Sequence, residues 1–165
     1  MDWSGGVSVG ALNQTMVINR PVEEVFAKTV RMENSPQIMD QVEEVTKLTE
    51  GPVSKGTRYE EIRNLGGRRV RSELLVTEYE PNRSYAVSSE QNGVQITFRY
   101  TFRPEGDGTF ITFEGDIQTK GLARSMFKGM IVRMISKEEL FHLQRLKKYI
   151  EKQDAGSDQV EESQH

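Results

Sequence analysis

The side chains here that could do acid–base or coordination chemistry are few and scattered. The 165 residues include no cysteine and two histidines, His142 and His165, the second at the chain end. Thiol nucleophiles, thiolate metal sites and disulfide scaffolds are therefore excluded. One internal histidine makes a histidine metal site improbable, and no metal and no cofactor are expected. GxSxG, a phosphate-cradling glycine loop and GxGxxG between a strand and a helix are all missing. Tyr59, Glu61, Tyr85 and Tyr100 remain as polar candidates, without a fixed constellation, so no catalytic residue is assigned. Glu60 and Glu61 are consecutive in a strand-like run, so one of them faces inward. An inward carboxyl can be a polar anchor or an acid of raised pKa. Its plainer role is an ion pair with Arg63 or with an arginine of a neighbouring strand. His142 has no acidic partner assignable from sequence and is expected to be a packed or rim residue. Arg68-Arg69-x-Arg71 follows a Gly66-Gly67 turn and has no interleaved aromatics. It is expected to be a solvated hairpin tip, and no nucleic-acid partner is expected.

The elements that must hold these groups are legible from periodicity. Leu12, Met16 and Ile18 share one parity of a strand that stops at Asn19-Arg20-Pro21. Val22, Val25, Phe26 and Val30 then fall at helical spacing, with Pro21 and two glutamates at the start, where they suit a helix N-terminus. A short second helix is expected around Pro36–Met39. From Val42 to Lys120 strands alternate with turn chemistry at Gly51-Pro52, Gly66-Gly67, Pro81-Asn82, Asn92-Gly93 and Gly106-Asp107-Gly108. That punctuation predicts consecutive hairpins, hence an antiparallel meander of six strands. Val94, Ile96, Phe98, Tyr100 and Phe102 alternate with polar residues, and Ile111, Phe113 and Ile117 repeat the pattern. Such a sheet has one buried face and needs a cover. The proline-free stretch from Leu122 to Lys152 supplies it as a long helix.

Composition bounds the setting. The chain is 35% hydrophobic and 28% charged, which predicts a well-solvated surface. No run approaches the roughly 20 apolar residues of a membrane-spanning helix. The opening MDWSGGVSVG lacks a basic start and an apolar stretch, so it is not read as a secretory signal, and a cytoplasmic location is the default expectation. Residues after Lys152 contribute −4 to a net charge of −3, leaving a body of +1 with no field to attract nucleic acid or anionic lipid. Three segments are expected: a flexible arm over 1–10, a single domain over 11–152, and an acidic disordered tail over 153–165.

Several of these runs carry a resemblance. They are Ile18-Asn19-Arg20-Pro21-x-Glu23-x-Val25-Phe26, Gly56-Thr57 opening a strand, Glu78-Tyr79-Glu80-Pro81 closing another, Asp107-Gly108-Thr109, and Leu143-x-x-Leu146-Lys147-x-x-Ile150-Glu151. Together they resemble the START-like superfamily of polyketide cyclases, aromatases, lipid-transfer proteins and Bet v 1 allergens, in its polyketide-cyclase-like branch. The resemblance implies an α+β helix-grip fold. In it a curved antiparallel sheet of about seven strands, ordered β-α-α-β6-α, wraps a long C-terminal helix. Many members of that branch carry a tryptophan in the second short helix, where this chain has Ile38 and Met39; its only tryptophan is Trp3.

The resemblance also implies a cavity between sheet and helix that holds a small hydrophobic ligand. Tyr59, Glu61, Leu74, Tyr85, Phe98, Tyr100 and Phe113 are its expected lining. Tyrosines in an apolar wall pair a flat contact surface with one polar tip; the plainer alternative is an ordinary packed core. Binding or transport of a lipid, polyketide or aromatic is the expected function. A cyclase or dehydratase using the same cavity is the first alternative, and a protein-interaction module the second. On the long helix, Leu143, Leu146 and Ile150 form one stripe, and Met126, Met130 and Met134 form another on nearly the opposite side. The first half is thus more apolar than a surface helix requires. A bend near Ser136 would add the methionines to the lining. The other covers are the short helices or a second copy of the chain, making a homodimer through the long helix.

Overall fold

The computed structural model describes residues 7–91, 93–119 and 141–162. Strand β1 (Val7–Ile18) leads into helix α1 (Val22–Thr29), a single 3₁₀ turn at Met32–Asn34 and the one-turn helix α2 (Ser35–Ile38). The meander follows as β2 (Val42–Lys47), β3 (Arg58–Leu65), β4 (Arg68–Glu80), β5 (Ser84–Gln91), β6 (Val94–Glu105) and β7 (Gly108–Thr119). Helix α3 (His142–Glu162) completes the described chain. The seven strands form one curved sheet in the order β1-β7-β6-β5-β4-β3-β2, and every neighbouring pair is antiparallel. This is the α+β helix-grip architecture that the hairpin punctuation and the resemblance predicted. No helix among the described residues is long and apolar enough to cross a membrane.

Each turn follows from its residues. Gly66 and Gly67 both have positive φ, 62° and 89°, and close the β3–β4 hairpin with Leu65 opposite Arg68. Two consecutive left-handed residues make the tight hairpin turn whose twist matches that of the strands. At the start of α1, the Pro21 carbonyl accepts from the N–H groups of Glu24 and Val25, at 3.1 and 3.0 Å. Proline there gives up no needed donor. Glu24 and Lys28 pair at 2.9 Å one helical turn apart.

The apolar stripes meet as expected. Val25, Phe26 and Val30 of α1 and its C-terminal turn are buried, as are Leu143, Leu146 and Ile150 of α3. They join Ile18, Ile111 and Phe113 of the sheet in one core. Full burial of each such side chain contributes about 1.5–3 kcal/mol.

Three features differ from expectation. β1 begins at Val7 rather than after residue 10, because Val7 and Ser8 pair with Thr119 and Gln118 of a long β7. A register shift between Ser8 and Gly10 breaks the alternation there, so the pairing has no clean period-2 signature. The last helix continues to Glu162, so residues 153–162 are helical where a disordered tail was expected. The segment holds no proline, and an established backbone ladder propagates without needing an apolar face. A second shift, between Val76 and Glu78, inserts one extra residue into β4. Tyr79 thereby turns inward, where strict alternation from Leu74 and Val76 would place Glu78. The expected first half of the long helix, with its bend near Ser136, lies outside the described residues.

The β6–β7 hairpin closes tightly on the end of β1. A Cβ on Gly108 would come 2.8 Å from the Ile18 carbonyl oxygen, a backbone atom that cannot swing aside. Thr109, fully buried, donates from Oγ1 to the Arg20 carbonyl at 2.8 Å. Gly108→Ala is expected to lower stability by about 1–3 kcal/mol, the usual cost of forced overpacking. Urea unfolding followed by far-UV circular dichroism measures it.

Candidate functional site

The inner face of the sheet carries a row of aromatic rings set by strand register. Phe98 and Tyr100 of β6 and Phe113 of β7 form its centre. Phe98 stacks on Phe113 with centroids 5.4 Å apart, and Tyr100 lies 4.9 Å from Phe113. Tyr85 of β5 extends the row from directly opposite Tyr100, 6.1 Å away, and Tyr79 follows at 6.4 Å from Tyr85. Phe26 of α1 covers that end, in edge contact with both Tyr79 and Phe102. Offset and edge-to-face pairs of this kind stabilise beyond simple burial.

Three groups of polar side chains interrupt the row. First, His142 enters from the start of α3, with its ring 4.8 Å from Phe113 and its Nε2 sharing a 2.6 Å hydrogen bond with the Tyr100 hydroxyl. Burial pushes its pKa from the ordinary 6.5 down to about 3, helped by the positive charges of Arg63 and Arg145. The imidazole is therefore neutral at physiological pH. Second, Glu61 and Arg63 lie two apart on the same side of β3 and pair at 2.6 Å, with side chains only 7% and 17% exposed. Arg145, one helical turn beyond His142, meets Asp40 at 3.3 Å. Third, Tyr59 and Tyr85 are completely buried, and neither hydroxyl has a hydrogen-bond partner among the described residues. Burial, with the Glu33 carboxylate close enough to act on both, pushes the Tyr59 pKa up to about 12 and raises that of Tyr85 as well.

Seven of the sequence-derived candidates thus share the inner face. Phe98, Tyr100 and Phe113 form one cluster, Tyr59 and Leu74 are direct cross-strand partners, Tyr85 bridges toward Tyr79, and Glu61 sits apart with Arg63. Met126, Met130 and Met134 lie outside the described residues. The expected Glu61–Arg63 pair is present. His142, weighed as a packing residue, has a partner that sequence reasoning missed. Its partner is a tyrosine hydroxyl 42 positions earlier, not a carboxylate, and local sequence carries no trace of that pairing. Tyr79 was also missed; the visible signal was an aromatic between two glutamates, out of phase with its strand. Among the described residues no group of three or more histidine, aspartate or glutamate side chains is placed to hold a metal ion.

A cleft of about 490 Å³ opens at one end of the sheet between α1, the β2–β3 loop and the β4–β5 turn. Phe26, Val30, Val53 and Tyr79 supply its apolar walls, while Glu33 and Lys47 are among its charged residues.

Residues 10–151 match the family model described as polyketide cyclase / dehydrase and lipid transport. No curated protein matches the sequence. Similar solved structures include Ara h 8.0201, at 13% identity and a TM-score of 0.68, covering 86% of this chain and 97% of that one. A START superfamily protein from Mycobacterium smegmatis is 16% identical, with a TM-score of 0.68 and coverage of 86% and 97%. The Zhui aromatase/cyclase from Streptomyces sp. R1128 is 13% identical, with a TM-score of 0.70 and coverage of 86% and 93%. At these identities the likeness is one of fold.

The neutral His142 has a consequence for stability. Its folded-state pKa lies below its unfolded value, so between about pH 6.5 and 3 the unfolded chain binds a proton that the folded chain excludes. Its contribution is complete above that window and is lost as pH falls through it. His142→Gln keeps a polar partner for Tyr100 and removes the titration. Urea-unfolding free energies measured from pH 7 to 4 are expected to fall less steeply for His142→Gln than for the unaltered protein, by a few kcal/mol across the window.

Proposed function

Because the chain belongs to the polyketide cyclase/dehydrase and lipid-transport family, we propose that it binds and carries a small apolar molecule with aromatic character between the sheet and the C-terminal helix. The observation that carries this reading is the state of the central rings. Phe98 and Tyr100 sit in the middle strands on the concave face, yet are only partly buried against the core around them. Flat apolar surface left uncovered inside a grip of this kind suits a flat ligand. The few polar groups nearby supply orientation.

The acid–base groups favour carriage over catalysis. A general base works best with a pKa near the working pH. His142 is pushed to about 3, far too weak to take a proton efficiently near neutrality. Tyr59 is pushed to about 12 and stays protonated. Glu61 is held in an ion pair with Arg63. His142 and Tyr59 are each held in one protonation state near neutrality, which is good for hydrogen bonding and poor for proton transfer.

The test uses N-phenyl-1-naphthylamine, an uncharged probe whose fluorescence rises in apolar surroundings. It is expected to bind the native protein at a single saturable site. Phe98→Trp adds volume on the partly open part of the row and is expected to weaken binding at least ~10-fold, equivalent to about 1.4 kcal/mol. Its thermal midpoint should stay close to that of the unaltered protein. A native protein that excludes the probe would remove the carrier reading.

A further inference from the structure

The two edges of the sheet are protected unequally. β2, at one edge, is six residues long, carries Glu43, Glu44 and Lys47, and is interrupted by a register shift between Val42 and Glu44. Shortness, charge and a bulge are the devices by which edge strands avoid pairing with other chains. β1, at the other edge, is twelve residues long and contains no charged residue and no proline. Its backbone shows which residues are open. The Val17 carbonyl accepts from Lys147 of α3 at 2.9 Å, so it points away from β7. Alternate residues of a strand direct their N–H and C=O groups to the same side, so those of Thr15, Asn13 and Ala11 also point away from β7. No strand among the described residues lies beyond them, and the side chains of Asn13 and Thr15 are exposed. The open window is bounded at both ends. Lys147 covers Val17, and the register shift between Ser8 and Gly10 breaks the alternation.

We propose that Ala11–Thr15 is the docking surface for the same strand of a second copy of this chain, the two pairing antiparallel about a two-fold axis at Asn13. A two-fold contact needs a surface complementary to itself. The window meets that condition. Centred on Asn13, it sets Ala11 opposite the second copy's Thr15 and Asn13 opposite its own counterpart, each a pair that exchanges two backbone bonds. No like charges meet across the ladder, because the whole strand is uncharged. The two Asn13 amides, each both donor and acceptor, can bond one another. Moving the axis by one residue either way draws Val17 or the broken stretch before Gly10 into the ladder, which leaves Asn13 as the centre. A foreign strand would use the same bonds but would lack the symmetry that centres them. The proposal is independent of the carrier reading.

A window this short buries less than the roughly 1,200 Å² of a standard interface, so a reversible, concentration-dependent dimer is expected. Sedimentation velocity of the full chain, from micromolar to millimolar protein, measures it. Asn13→Lys and Asn13→Asp each set two like charges directly opposite one another at the axis. Each is expected to weaken self-association at least ~10-fold. Their thermal midpoints at low concentration should stay close to that of the unaltered protein, because the Asn13 side chain is exposed. An equimolar mixture of the two variants is expected to associate again, since opposite charges then meet. That rescue requires position 13 to face its own counterpart. A chain that is monomeric throughout the range overturns the proposal. So does a dimer that both variants leave unchanged, which would use another surface such as the long helix. A mixture that associates no better than either variant alone overturns it too, as does growth beyond dimers, because two-fold pairing consumes the open edge.

Discussion

The packing of Leu143, Leu146 and Ile150 against the concave sheet is the contact on which the rest of the structure depends. A sheet with one apolar face is unstable in water until that face is covered. Here the cover is a stripe of three side chains that are almost wholly buried. Its orientation is fixed by polar contacts at the end of β1. Lys147 donates to the Val17 carbonyl at 2.9 Å, and Glu151 accepts from the Asn19 N–H at 3.1 Å. Once the stripe is seated, helix geometry leaves no choice about its neighbours. His142 must arrive over Phe113 and Tyr100, and Arg145 must come out beside Asp40. The polar interior is in this sense a by-product of apolar packing.

That interior is electrically quiet. Burial keeps His142 neutral and the Tyr59 and Tyr85 phenols protonated. The outer face of the sheet shows the opposite economy. Arg99 forms two bonds to Glu78, at 2.7 and 3.2 Å, and Arg69 reaches Glu43 at 2.8 Å, all with partly exposed side chains. Exposed pairs of this kind add little to stability. They keep the outer face of the sheet polar, so that one side meets water and the other the core.

Much of this was legible in the sequence, and the reasons differ by element. The meander was visible because glycine, proline and asparagine mark hairpins through backbone geometry, a local property. The inner face of β6 and β7 was visible because alternation over Val94–Phe102 is unbroken. The Glu61–Arg63 pair was visible because two residues apart on a strand means one face. The limits arise where geometry is not local. The bulge in β4 reassigns Tyr79 and Glu78 to opposite faces, and only pairing with β5 reveals it. The Tyr100–His142 bond joins a strand to a helix that sequence alone cannot dock to the nearest ångström. Whether a buried phenol finds a partner depends on several strands at once, so Tyr59 and Tyr85 could be named as lining but not as unsatisfied donors.

The bulge between Val76 and Glu78 means that the lining of the interior is set by strand pairing and not by counting along the chain. Thr77 is the residue that β4 carries in excess of β5, while Glu78 stands opposite Ala86 and Tyr79 opposite Tyr85. Deleting Thr77 would leave both of those pairs in place, with Tyr79 still inward and Glu78 still outward. An insertion or deletion in a strand is usually thought to break a fold. At this position the strand can differ in length by one residue while it presents the same side chains to the interior, so the bulge is where this sheet absorbs a change in length without altering what it holds.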